Sequence, residues 1–223
     1  MNIFESLHAE LLKYLPKLKI AYKDKSWFMK ALAKLLFFVP SFLTAFTTTI
    51  GYTIYFTSEG AVKENLEGYS QVLSHEATHA WDRKRYGFLF FLSYLFPQCL
   101  AALVLLSFLA IWFTKLWLLS LLFLVFLAPI PAYFRMRWEL RGYTMNYCWG
   151  HWMNGYDPNC SFSIDRFSGP SYYFMWPFRQ NMIDRFNSNF VKLQDGSILE
   201  EQPYKIIHDF IVGWKADHPP LTL

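Results

Sequence analysis

Three cysteines in 223 residues, Cys99, Cys148 and Cys160, give an odd count and no CxxC spacing. A disulfide framework and a cysteine-ligated metal are therefore poor readings, and the usage suits a reducing compartment. Charge is also scarce: 17% of residues are charged and the net charge is +4. The basic residues lie beside apolar segments, so a membrane surface accounts for them better than nucleic acid does. The N-terminus lacks the layout of a signal peptide, since Glu5, Glu10 and Asp24 interrupt it among scattered lysines. No internal repeat and no low-complexity tract is present apart from one apolar run.

Apolar and aromatic residues are what the chain has in excess. It is 54% hydrophobic and 21% aromatic, where ordinary soluble domains are about 45–50% apolar. From Phe88 to Phe134 the only charge is Lys115, over about twice the ~20 residues that span a bilayer. The run divides at Phe113-Thr114-Lys115, with Trp112 and Trp117 placed as interfacial rings. The pattern predicts a transmembrane helical hairpin, Phe88–Trp112 and Leu116–Phe134, with Pro129 and Pro131 kinking or ending its second helix. Arg83, Lys84 and Arg85 precede it and Arg135, Arg137 and Arg141 follow it. That bias predicts an integral membrane protein with both hairpin ends, and whatever they carry, on the cytoplasmic side.

Upstream, Trp27, Phe28, Leu32, Leu35 and Leu36 against Lys30 and Lys34 read as an amphipathic helix within Ser26–Phe46. It is expected to lie in the membrane interface or to dip into it up to Pro40. Thr47–Thr57 is rich in β-branched and aromatic residues and predicts a strand. A turn follows at Ser58-Glu59-Gly60, then a helix over Val62–Tyr86. Beyond the hairpin a helix is expected over Arg135–Met153, ended by Asn154-Gly155 and Asp157-Pro158. Loops then alternate with short helices (Met175–Asn187, Tyr204–Trp214), and His218-Pro219-Pro220 reads as a frayed tail. The segments are thus 1–46 (interfacial helices), 47–87, 88–134 (hairpin), 135–157 and 158–223 (aromatic-rich and helical).

The chemistry lies in His75-Glu76-Ala77-Thr78-His79. Histidines at i and i+4 stand one above the other on a helix face and can bind one zinc ion together. Glu76, beside the first ligand, can take the proton of a zinc-bound water whose pKa the metal lowers to about 7. With six histidines and nine glutamates in the chain, a chance HExxH has a probability of about 0.6%. A third ligand has to come from elsewhere. Glu139 is the first choice, because an antiparallel hairpin returns it to the membrane face that carries His75 and His79. Its competing use is a salt bridge with Arg135 or Arg141. His151 and Asp157 are rival ligands; His208 reads as a helix-surface residue, and His8 and His218 as exposed ones. Tyr143, Tyr147 and His151 recur every four residues near the Glu139 face and are candidates to stabilise an oxyanion. Asp82 reads as a partner of Arg83 or Arg85 more than as an orienter of a ligand.

The order of a β-like segment, an HExxH helix and a later glutamate on a second helix resembles the gluzincin branch of zincin metallopeptidases. The hydrophobic hairpin between motif and glutamate is similar to the integral-membrane zinc peptidases of the stress-response and CaaX-prenyl endopeptidase group. The resemblance covers about residues 45–155. It implies zinc as cofactor, His75, His79 and Glu139 as ligands, Glu76 as general base, and Thr47–Thr57 as an edge strand that pairs with an extended peptide. It departs from that group at Tyr143, where an acidic or amide residue usually follows the glutamate by four, with Asn146 at seven; this leaves the residue that orients a ligand histidine unassigned.

The expected fold is mainly α: a membrane-anchored zincin-like α+β domain with a transmembrane hairpin inserted between the motif helix and the third-ligand helix. The expected function is a membrane-bound zinc endopeptidase acting on membrane-proximal or extended protein substrates, with Glu76 and Tyr143 catalytic. Its partners are the lipid bilayer and a peptide or protein substrate, not nucleic acid. The alternative is a membrane-associated assembly protein of zincin-like fold with a structural or vestigial metal site. Its basis is the run Tyr172-Tyr173-Phe174-Met175-Trp176-Pro177-Phe178, which would dock a protein partner.

Overall fold

The computed structural model describes residues 1–35, 42–44, 46–156, 159–172 and 174–219. In chain order these form α1 (Ile3–Tyr14), β1 (Lys19–Tyr22), α2 (Trp27–Leu35), β2 (Thr48–Ile50), β3 (Thr53–Phe56), α3 (Glu59–Glu64), α4 (Leu66–Tyr86) and α5 (Phe88–Leu95). Two 3₁₀ segments follow, Gln98–Ile111 and Lys115–Leu127, then α6 (Tyr133–Asn154), α7 (Ser161–Ser168), α8 (Arg179–Gln194) and α9 (Gln202–Asp217). The fold is mainly α with one small sheet, as expected.

The chain divides into two compact units. The first comprises residues 1–85, 141–158 and 189–223; the second comprises 86–140 and 159–188. The boundary cuts α6 between Leu140 and Arg141, inside one unbroken helix.

In the first unit, α1 starts at a capping box: Asn2 accepts from the Glu5 N–H while the Glu5 carboxylate accepts from the Asn2 N–H. Its apolar positions Ile3, Phe4, Leu7 and Leu11 repeat at helical spacing and are buried. They join Phe56, Leu73, Ala77, Met145, Trp149, Ile207 and Ile211 in one core. The sheet has the order β1-β3-β2, with β1 parallel and β2 antiparallel to β3. The segment read as a single strand is thus a hairpin, with Thr49 opposite Ile54 and Ile50 opposite Thr53. Gly51 supplies the positive φ (65°) that such a tight turn requires. β2 is left as an edge of the sheet, with no strand beyond it among the described residues.

The helix expected over Val62–Tyr86 is divided at Asn65. The Asn65 side chain accepts from the Gly68 N–H at 3.0 Å and so starts α4 afresh. The motif then sits in the middle of a 21-residue helix, with His75, Glu76, Ala77, Thr78 and His79 all buried. The amphipathic segment appears as α2, with Trp27 and Phe28 exposed; residues 36–41 and 45, including Pro40, lie outside the described residues, as does Asp157.

In the second unit the apolar run is not a pair of straight helices. Among the described residues no single helix is long and apolar enough to cross a membrane. Phe88–Leu95 and Gln98–Ile111 pass that test only together, bent by 86°, and Lys115–Leu127 is shorter. Pro97 stands at the bend, where it removes a backbone donor. The two 3₁₀ segments lie against each other and expose Phe108, Ile111, Trp112, Leu116 and Leu122. Residues 159–188 bring Ile164, Phe167, Met182 and Phe186 into a buried apolar group. They are tied to the start of α6 by the Ala132 N–H donating to Met175 O at 2.9 Å.

Candidate metal centre

The i,i+4 spacing on α4 brings the two motif imidazoles together: their ring centroids are 5.0 Å apart and His79 Nε2 lies 3.2 Å from His75 Nε2. Two ring nitrogens this close either share a proton or direct both lone pairs at one ion. A carboxylate on α6 completes a group that could hold a metal ion. His75, His79 and Glu139 each offer one ligand atom, and these atoms lie within 4.8 Å of one another. All three residues are buried, Glu139 to 3% exposure. Two imidazoles and a carboxylate are a donor set that suits zinc and leaves a coordination position open.

α6 continues from Glu139 into the first unit. One and two turns further along the helix, Tyr143 and Asn146 both meet His75. The Tyr143 ring stands edge-on to the imidazole at 5.1 Å and 84°. The Asn146 side-chain amide lies 3.1 Å from His75 Nδ1, and Gln71 on α4 donates to the Asn146 backbone carbonyl at 2.8 Å. Glu139, Tyr143 and Asn146 are spaced by four and three residues, one face of a helix. Between them Gly142 lets the helices close up: a Cβ added there would sit 2.5 Å from His75 Nε2.

The carboxylate of Glu139 is held on its own side by hydroxyls. Tyr94 donates a short hydrogen bond to Oε1 and Tyr172 donates to Oε2 at 3.4 Å. The Arg135 guanidinium stands over both phenol rings, at 5.3 and 5.7 Å. Tyr94 did not stand out in the sequence and Tyr172 was read there as part of a docking run, because 14 tyrosines carry no spacing that ties two of them to one glutamate.

Glu76 is held from the sheet. Thr49 on β2 donates to Glu76 Oε2 at 2.6 Å, which binds the edge strand to the residue beside His75. Lys23, following β1, is fully buried, donates to Phe42 O at 2.7 Å and stands over the Phe42 ring. Burial pushes its ammonium down to about 8, partly opposed by the negative Glu76 nearby.

Asp82 is fully buried, and its partner is Arg141 on α6 at 3.1 Å rather than Arg83 or Arg85. Arg141 also binds Glu201, and Tyr204 donates to the Arg141 carbonyl at 3.0 Å. Burial raises the Asp82 carboxyl above its ordinary range, opposed by Arg141 and then by His79. The salt bridge considered for Glu139 is therefore taken over by Asp82 and Glu201 as far as Arg141 is concerned. Of the rival histidines, His151 lies 3.4 Å from Tyr156 O and His208 packs against Trp152. His8 is half-buried rather than exposed, and burial lowers its pKa. None of the three joins the metal-ligand group.

The fit to a metal can be judged from an orphaned atom. Asn146 Oδ1 is buried and accepts no hydrogen bond, and it belongs to the amide that touches His75 Nδ1. Occupying His75 Nε2 with a metal places the imidazole proton on Nδ1, which then needs an acceptor such as this oxygen. The residues present therefore suit a zinc ion. No protein-family model, curated protein or solved structure matches the chain.

Proposed function

We propose that the chain is a membrane-bound, zinc-dependent metalloendopeptidase of zincin-like architecture that cleaves membrane-proximal or extended protein substrates. The observation that carries this reading is the convergence of His75, His79 and Glu139, with Glu76 between the histidines in sequence and hydrogen-bonded to an edge strand. A structural metal site has no use for that glutamate.

Zinc held by these three residues would supply a Lewis acid and a water acidified to near neutrality. The chain's own residues supply the rest. Glu76 accepts the proton of the attacking water and delivers it to the leaving amine. Thr49 occupies Oε2 of that carboxylate, which leaves Oε1 for the water. The substrate lies extended along the free edge of β2 and pairs with its backbone. Tyr143, whose ring meets His75, is the candidate for stabilising the developing oxyanion.

The exposed apolar residues of 88–127 support a bilayer as the second partner, with the bent pair entering it as a broken span or re-entrant loop. The arginines that flank the run support a cytoplasmic site. Exposed Phe162, Phe174 and Phe178 favour a second reading, an assembly protein that docks a partner there and keeps the metal as a brace. The two separate on new N-termini. Wild type reconstituted in liposomes, given an extract of membrane proteins, should generate neo-N-termini that disappear with chelator and with Glu76→Gln. Equal sets from wild type and Glu76→Gln would refute the peptidase reading.

A further inference from the structure

Tyr133, at the start of α6, carries two guanidiniums over its ring: Arg137 at 5.9 Å and Arg185 of α8 at 5.7 Å. Among the described residues neither arginine pairs with a carboxylate; Asp165 is taken by Arg179, and Asp184 accepts from Gln180. Two uncompensated cations gathered at one ring favour an anion that the chain itself does not supply. Arg185 is also held in place. Asn181 Oδ1 accepts from Arg185 Nε at 2.8 Å and from the Trp176 indole N–H at 3.0 Å. That bond leaves the two terminal nitrogens of the guanidinium open, the fork that grips a phosphate through two hydrogen bonds. The same tyrosine lies on a path of touching rings that starts in the apolar run. Phe96 meets Phe134 at 6.4 Å, Phe134 meets Tyr133 at 5.6 Å, Tyr133 meets Trp176 at 5.7 Å, and Trp176 meets Phe178 at 5.0 Å. Phe96, Tyr133, Phe134 and Phe178 are all exposed. Exposed rings backed by arginines are what a membrane–water interface selects.

We propose that Arg137 and Arg185, gathered at Tyr133, form a headgroup site for an anionic phospholipid where the apolar run meets the bilayer surface. Arg185 grips the lipid phosphate, Arg137 adds the second positive charge, and the rings from Phe96 to Phe178 lie along the interface. The occupant is a lipid rather than a protein because it accounts for both halves of this surface. The cations match a phosphate, and the rings continue the apolar surface of 88–127. Attachment to the membrane thereby becomes selective for anionic lipid. The inference rests on the reading of this chain as membrane-bound and involves no metal.

The test uses full-length protein purified in maltoside detergent. It is passed through a gel-filtration column equilibrated with detergent holding equal traces of phosphatidylglycerol and phosphatidylcholine, and lipid per chain is counted by mass spectrometry. Wild type should emerge enriched in phosphatidylglycerol. Arg185→Gln and Arg137→Gln should each cut that enrichment roughly fivefold, the weight of one arginine at an anionic surface. Arg185→Lys, which keeps the charge and loses the fork, should fall between Arg185→Gln and wild type. Arg179→Gln removes the same charge from the ion pair with Asp165 and should leave the enrichment within about twofold. Thermal unfolding in the same detergent checks that each variant is folded. Four results would each overturn the site while leaving the chain in the membrane. The first is no enrichment in wild type, and the second is an equal loss in Arg179→Gln and Arg185→Gln, which reduces the effect to diffuse charge. The third is displacement of the lipid by inorganic phosphate but not by sodium chloride of equal ionic strength, which makes this a site for a soluble anion. The fourth is a protein retained from a membrane extract by wild type and lost from Arg185→Gln, with no lipid preference, which gives the surface to a protein partner. Wild type that stays in solution without detergent and does not float with liposomes would end the membrane-bound reading as well.

Discussion

Thr49 on the sheet edge donates a 2.6 Å hydrogen bond to Glu76 Oε2 on the motif helix. The strand proposed to pair with a peptide would thus also aim the carboxylate beside His75. Replacing Thr49 by Val keeps its shape and removes the donor. Zinc content should not change, while turnover of a cleaved peptide should fall by roughly tenfold, the weight of one hydrogen bond to a charged group. Thr49→Ser should behave almost as wild type. Steady-state kinetics check this, and an unchanged kcat in Thr49→Val would remove Thr49 from the site.

Glu139 is buried and its carboxylate is held by Tyr94 and Tyr172. Glu139→Ala should lose more zinc affinity than a supporting residue would, by more than about 100-fold. Tyr94→Phe, which removes one donor from the carboxylate, should cost roughly tenfold. Competition titration with a chelator measures both, and zinc retained in full by Glu139→Ala would exclude this ligand.

Lys23 gives a pH dependence of defined sign. Its ammonium is lowered from the usual 10.5 to about 8 in the folded protein. Between those values the unfolded chain binds a proton that the folded one has released, so stability rises with pH across the window. The difference in unfolding temperature between wild type and Lys23→Met should therefore move in favour of wild type from pH 8 to pH 10. A constant or opposite difference would contradict the burial of this amine.

Asp82 and Arg141 join α4 to α6, three residues after His79 and two after Glu139. Asp82→Ala leaves Arg141 with Glu201 alone and should destabilise the fold on the order of 3 kcal/mol, as expected when one partner of a buried pair is removed. Denaturant unfolding in detergent measures this, and an Asp82→Ala within about 0.5 kcal/mol of wild type would contradict it.

The grouping of His75, His79 and Glu139 was legible in part: the two histidines follow from i,i+4 spacing on one helix, and Glu139 stood out as the glutamate on the first helix after the apolar run. The β2–β3 turn was also written in the chain, at Gly51, but a run of β-branched residues on both sides hid it inside one strand. Asn65 broke the next helix by capping, a local choice that periodicity does not register. The residues that hold the site were harder to see. Thr49, Tyr94 and Tyr172 are ordinary residues whose roles depend on tertiary approach. Gly142 carried a signal, since glycine in the middle of a helix usually has a packing reason. Asp82 was assigned to the arginines next to it in sequence, whereas burial selected the one across the helix pair. The apolar run announced its composition but not its shape, because Pro97 bends it where hydropathy sees no interruption.

The central claim is that His75, His79 and Glu139 hold a zinc ion on which Glu76 acts as base. Its most direct measurement is zinc per chain and peptide cleavage in wild type beside Glu76→Gln, both purified in the same detergent. One zinc per chain is expected in each, with cleavage in the variant reduced by about 10²-fold or more. Full cleavage by Glu76→Gln, or no zinc in wild type, would contradict the account.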